Sequence, residues 1–320
     1  MHSNLQPTMA TYIKPSLLSW GAIFIATSLY MSLLVCEARV YRGKGSAFVR
    51  TKGSHFVINS SPFLFNGFNA YWMMNVATNP SERHKVSQVL QDATNAGLSV
   101  CRTWAFADGG HADKALQISP GVYNEGVFQG LDFVVAEARK YGLRLILSFV
   151  NNYKVFGGRS QYVEWARNSG VHIKNDDDFY TNPIVKGLPG EDEDSQLAFM
   201  RRWMWSHFKD SRTILKKPLV IAEFGKSSKD PNYNINKRDS YMKSVYRNIY
   251  MDARGGGAVA GGLVWQLQAD GMGSYSDGYE IILSDNPSTD HIISQQSHAM
   301  TTLSHLLKIP RHHHANHTHI

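Results

Sequence analysis

Residues 127–150 read VFQGLDFVVAEARKYGLRLILSFV, and this stretch decides the fold. Val127–Tyr141 reads as a helix, closed by Gly142. Leu143–Val150 (LRLILSFV) is a strongly apolar run of strand length. The same alternation precedes it. Phe63–Trp72 (FLFNGFNAYW) reads as a first strand. Ser81–Ala96 has helical spacing, with Val86, Val89, Leu90 and Ala93 on one face and Gly97 as the stop. Ser99–Phe106 (SVCRTWAF) reads as a second strand, followed by a loop rich in Gly and Asp. This βαβαβ order predicts a parallel sheet with right-handed crossovers.

The pattern resumes further on. Asn151–Gly187 is a long polar and aromatic stretch with one short helical piece near Tyr162–Arg167. Ser195–Leu215 reads as a helix. The apolar run Leu219–Ala222 then reads as a short buried strand, bounded by Pro218 and Gly225. Arg238–Arg254 is another helix, Gly262–Gln268 (GLVWQLQ) a further strand, and Gln295–Leu307 a closing helix. Five strands of the repeating type result, whereas a closed (β/α) barrel needs eight.

Length and composition agree with one globular domain: 320 residues, 43% hydrophobic and 18% charged. The net charge of +7 suits an anionic surface, but the basic residues are scattered, which argues against nucleic acid as a partner. Leu17–Cys36 is apolar and free of charge, with Lys14 before it and Glu37-Ala38-Arg39 after. It reads as a secretory signal, residues 1–38, cleaved after Ala38, so no stable membrane association is expected afterwards. The rival reading, an uncleaved anchor, rests on a length near the roughly 20 residues that span a bilayer. Asn59-Ser60-Ser61 and Asn316-His317-Thr318 fit the glycosylation sequon, in line with export to the extracellular space. With Cys36 removed, Cys101 is alone and no disulfide framework exists. The tail, residues 309–320, carries His312, His313, His314, His317 and His319; it is read as unstructured rather than as a metal site.

Glu223 carries the chemistry. It stands where the Leu219–Ala222 strand ends, which is where a parallel-sheet enzyme places its catalytic groups. Retaining glycoside hydrolysis uses two carboxyl groups roughly 5 Å apart, a nucleophile and an acid/base.

From about Phe48 to Leu307 the chain resembles plant endo-β-1,4-mannanases of glycoside hydrolase family 5. The pieces that carry the resemblance are FNGFNAYW, CRTWAFAD, VFQGLDFVVAEARKYGLRLILSFVNN, FYTNP, AFMRRWMWSHFKDSRTILKKPLVIAEFGKSS, YRNIY, GGLVWQL, DGY and SHAMTTLSHLL, in the family's order. The resemblance implies an α/β fold of the (β/α)8 TIM-barrel type over residues 39–308, no cofactor, no metal, and β-mannan of the cell wall as substrate. Glu223 falls on the nucleophile after the seventh strand and Arg102 on the arginine that orients it. Trp265 falls on the aromatic platform under the sugar, and Trp104 on a substrate-contacting position.

The chain departs from the family in its middle. The family's Asn-Glu pair after the fourth strand, which holds the acid/base, is absent, and so is its His-x-Tyr element near the sixth. NPIVKG, which matches the region before the fourth strand, runs straight into LPGEDEDSQLAFMRRW, which matches the loop after the sixth, with a seam near Gly187–Leu188. Asn124-Glu125 is an Asn-Glu pair in a turn, where Glu125 suits the positive end of a helix dipole. Glu164 is the other acidic candidate. Strands four to six are therefore expected to be missing, with unpaired edges beside the gap unless the third strand pairs with the seventh. The expected function is endo-acting retaining hydrolysis of β-1,4-mannosidic linkages, impaired or abolished by loss of the acid/base. The alternative is an inactive, glycan-binding or non-functional shortened form.

Overall fold

A computed structural model of the chain describes residues 48–109, 114–170 and 193–307. The segment read as a secretory signal (1–38, with Cys36), the seam near Gly187–Leu188, the second sequon and the tail 309–320 lie outside the described residues. Among the described residues no helix is long and apolar enough to cross a membrane.

The described chain opens with a short antiparallel meander, β1 (Arg50–Lys52), β2 (His55–Ile58) and β3 (Ser61–Pro62). Asn59 and Ser60 join β2 to β3 with φ of 49° and 65°, the left-handed pair that a two-residue hairpin turn requires. The repeating units follow: β4 (Phe65–Asn69), α1 (Met73–Ala77), α2 (Arg83–Asn95), then β5 (Val100–Trp104). A small hairpin, β6 (Gln117–Ser119) and β7 (Val122–Tyr123), precedes α3 (Glu125–Lys140) and β8 (Arg144–Ser148). Next come α4 (Gly158–Asn168), α5 (Glu193–Asp210), β9 (Leu219–Phe224), α6 (Ile235–Arg254), β10 (Val259–Val264) and α7 (Pro287–Leu306).

One sheet organises these elements, in the order β8–β5–β4–β10–β9, and every neighbouring pair is parallel. In barrel order these are strands three, two, one, eight and seven, an open arc of a (β/α)8 barrel. The third and seventh strands do not pair; they are the two ends of the sheet. The strands extend outward from β4 in both directions, so the open side of the arc falls between β8 and β9.

The helices bury the faces their spacing predicts. On α2 the buried residues are Val86, Val89, Leu90 and Ala93. Asn124 caps α3 through its side chain, accepting from the Gly126 amide at 3.0 Å, and Gly142 ends that unit at φ 71°. Asn234 caps α6 in the same way, accepting from Lys237 at 3.0 Å. A main core results, with Phe68, Trp72, Met73, Leu90, Cys101, Met204, Phe208, Phe224, Ile249 and Ile293 among its members, and two smaller clusters form around Phe65, Val100 and Leu263 and around Met74, Leu116 and Val127.

The structure departs from the sequence reading at the last strand, at the closing helix and in several short elements. The last strand runs over Val259–Val264 rather than Gly262–Gln268. Its two central glycines lower its apolar signal, but they are required, since a Cβ at Gly261 would collide with the Phe65 carbonyl. The closing helix starts at Pro287, eight residues before Gln295, because its first turn is polar and Pro occupies the first position, where no amide is needed. The short elements α1, β1–β3 and β6–β7, of two to five residues each, are too brief for periodicity to reveal.

The open end of the arc is apolar. Ile146 on β8 lies in register with Arg102 on β5 and is 36% exposed; just beyond it Phe149 is 70% and Val150 46% exposed. In a closed barrel the next strand would cover them.

Candidate active site

Parallel strands bring their C-terminal ends to one rim, and the candidate residues sit there. Asn69 ends β4, Arg102 and Trp104 lie at the end of β5, Ser148 ends β8, Glu223 lies at the end of β9, and Trp265 follows β10. Residues 121 positions apart in the chain thus meet.

The Arg102 guanidinium is held on three sides. Its Nε donates to Ser148 Oγ at 3.1 Å, its Nη1 to Asn69 Oδ1 at 3.0 Å, and Nη1 also to Glu223 Oε1. Asn69 is fully buried, and its amide donates to the carbonyls of Ala222 (3.0 Å), Leu263 (3.2 Å) and Val264 (3.2 Å). With the nitrogen committed to carbonyls, the amide oxygen must face Arg102. Asn69 therefore stitches β4, β9 and β10 together and aims the arginine. The Glu223 side chain is 51% exposed and that of Arg102 20%, so the carboxylate has one face on the guanidinium and the other open.

The pair lines a cleft of about 790 Å³ with Tyr71, Trp104, Tyr153, Trp265, Asp277 and Tyr279. Tyr71 and Trp265 stack, their rings 4° from parallel and 5.6 Å apart. Trp104 lies 4.7 Å from Tyr71 and meets Phe156 edge-on at 4.6 Å. The Trp265 indole Nε1 donates to Asp277 Oδ2 at 2.7 Å, and the Tyr279 amide donates to Asp277 Oδ1 at 2.9 Å. Asp277 thereby fixes the plane of Trp265. Burial and the charge of Asp277 push the Tyr71 hydroxyl up to about 12, and that hydroxyl donates to the Tyr275 carbonyl at 3.2 Å.

The sequence reading singled out Arg102, Trp104, Glu223 and Trp265, and the structure brings all four to one cleft. It missed Asn69, Tyr71, Ser148 and Asp277. The signal for Asn69 was a buried-type polar residue closing an apolar strand. Glu125 is exposed in the first turn of α3, and Glu164 is exposed on α4; neither lines the cleft. Among the described residues, its lining carboxylates are Glu223 and Asp277. No group of three or more His, Cys, Asp or Glu side chains among the described residues is placed to hold a metal ion.

Such a site sets a half-exposed carboxylate beside a fixed cation, next to stacked aromatic rings. A family model described as glycoside hydrolase family 5 beta-mannosidase-like matches residues 46–183. Mannan endo-1,4-beta-mannosidase 5 of Solanum lycopersicum is 44% identical over 409 residues, covering 90% of this chain and 98% of the relative. The alignment is longer than the 320 residues of this chain, so a stretch of the relative has no counterpart within it. Mannan endo-1,4-beta-mannosidase 1 of Oryza sativa subsp. japonica is 38% identical, covering 82% of this chain and 88% of the relative. The fold matches the crystal structure of a glycoside hydrolase family 5 mannosidase from Rhizomucor miehei with a TM-score of 0.67 at 16% identity, over 81% of this chain and 99% of that one. The chain belongs to the mannan endo-1,4-β-mannosidases of glycoside hydrolase family 5.

Proposed function

We propose that the chain binds β-1,4-mannan along the cleft and performs the first half of a retaining displacement, with Glu223 as nucleophile and no acid/base opposite it. The observation that carries this reading is the Arg102–Glu223 contact at the C-terminal rim of the sheet. Arg102 orients the carboxylate, Trp265 is the platform beneath the reacting sugar, and Trp104 contacts the neighbouring part of the ligand.

In the displacement a Glu223 oxygen attacks the anomeric carbon, the bond to the departing oxygen breaks, and a glycosyl ester forms. Departure from a polysaccharide would leave a sugar alkoxide, which needs a proton donor. General acid/base help is worth about 10²–10⁴-fold in rate. An aryl mannoside with an acidic phenol leaves as a stable phenolate and needs little help. Release of the ester then requires a water stripped of its proton. Asp277 does not supply that base, because its two oxygens accept from Trp265 and Tyr279.

The deciding experiment pairs two substrates. Mannan polymers should yield negligible new reducing ends. The activated aryl mannoside should give a burst of phenolate, then slow turnover that azide accelerates, because azide attacks the ester without losing a proton. Rapid polymer hydrolysis would show a recruited acid. Mannan binding without a burst would favour a purely glycan-binding form. The leader 1–38 and the two sequons support secretion to the cell wall, which N-terminal sequencing of the exported protein would test.

A further inference from the structure

We propose that two copies of this chain associate through the two ends of the parallel sheet, β8 of each pairing with β9 of the other, and so close one ten-stranded barrel from two five-stranded arcs. The argument starts from the hydrogen-bonding direction of β8. Arg144 donates to Ser99 and Ser148 accepts from Ala105, both on the β5 side. Alternation along a strand turns the backbone groups of Leu145 and Leu147 the other way, toward the gap. No strand among the described residues pairs with that edge, or with the outer edge of β9. An unpaired edge flanked by exposed Ile146, Phe149 and Val150 is a template for another strand.

Only some occupants fit. Both edges belong to one parallel sheet, so a strand that continues either one in the native direction must run parallel. β8 has five residues and β9 has six, so each edge matches the other in length. A second copy turned about the barrel axis presents β9 to β8 and β8 to β9 at once, and every edge is used. The two junctions are equivalent under this two-fold, so the assembly closes at two members.

The helix layer fits the same occupant. In each copy α2, α3, α5, α6 and α7 supply five long helices for five strands. Of the two remaining helices, α1 has only five residues, and α4 sits against the loop after β5, where Tyr162 donates to Asp108 at 2.9 Å. On α5, Met204 and Phe208 are buried in the core, while Trp203 is 36% and Trp205 47% exposed. Ile214 and Leu215, just before β9, are 70% and 62% exposed. In the pair, this apolar flank of one copy lies over the bare β8 end of the other.

Sedimentation velocity of the purified chain over a wide concentration range tests the proposal. A single species of twice the monomer mass is expected, with hydrogen exchange in 143–150 slowing as it forms. Phe149→Asp, at a site already exposed, should keep the circular dichroism of the parent and weaken association at least about tenfold, since a carboxylate would be buried at the junction. Leu147→Pro, which removes an edge amide and no existing ladder bond, should do the same. A monomer at every concentration, open-ended growth instead of a pair, or a dimer indifferent to Phe149→Asp would each overturn it.

Discussion

Arg102 and Glu223 touch across four strands of the sheet: the arginine on β5, the carboxylate on β9, with β4 and β10 between them. The contact survives the loss of the opposite side of the barrel because its support lies on the retained side. Asn69 binds carbonyls on β9 and β10 and presents its oxygen to the guanidinium, while Ser148 holds the far side.

Arg102→Met should therefore cut the burst rate with an activated mannoside by about 10²-fold, the usual scale for one preorganised electrostatic contact. Stopped-flow phenolate release would measure it. Circular dichroism should be unchanged, because the arginine is part-exposed and the strands are held by Asn69.

Asp277→Ala frees the Trp265 indole. A hydrogen bond to a charged group is worth about 1.5–3 kcal/mol, so manno-oligosaccharide affinity should fall roughly tenfold or more. Titration followed by tryptophan fluorescence would report it. Unchanged affinity would mean that the ring is fixed by Tyr71 alone.

Alkaline pH should unfold the chain between pH 10 and 12. Burial raises the hydroxyls of Tyr71 and Tyr241 from the usual 10.0 to about 12, and raises Tyr246 as well. Above pH 10 the unfolded chain binds fewer protons at these sites than the folded one, so stability falls as pH rises. Tyrosinate absorbance at 295 nm should then rise together with loss of secondary structure. Titration of all the tyrosines near pH 10 with the fold intact would contradict this.

Gly67→Ala should destabilise the sheet centre. An added Cβ would meet the Val100 carbonyl and a Leu263 methyl inside van der Waals distance. Overpacking of this kind costs about 1–3 kcal/mol, measurable in urea melts.

Much of this was legible in the sequence. LRLILSF and LVIAEF declared their strands because each is an apolar-rich run of strand length, opened by Gly142 or Pro218. The first half of β10 was hidden by Gly261, whose absent side chain is the reason the strand fits. Arg102 and Glu223 were brought together only by the family resemblance, since no local pattern links residues 121 positions apart. Asp277 was invisible because its role depends on a loop that folds back onto Trp265, twelve residues earlier. The arrangement of the ends was not legible either: crossover handedness fixes which strands neighbour β4, not what becomes of an edge whose partner is missing.

The most direct measurement is the intact mass of the chain after brief exposure to an activated aryl mannoside, followed by peptide mapping. One added mannosyl unit on the peptide containing Glu223, persisting after the free substrate is removed and disappearing when azide is added, is the expected result. Steady release of mannose with no bound sugar at any time would contradict the account.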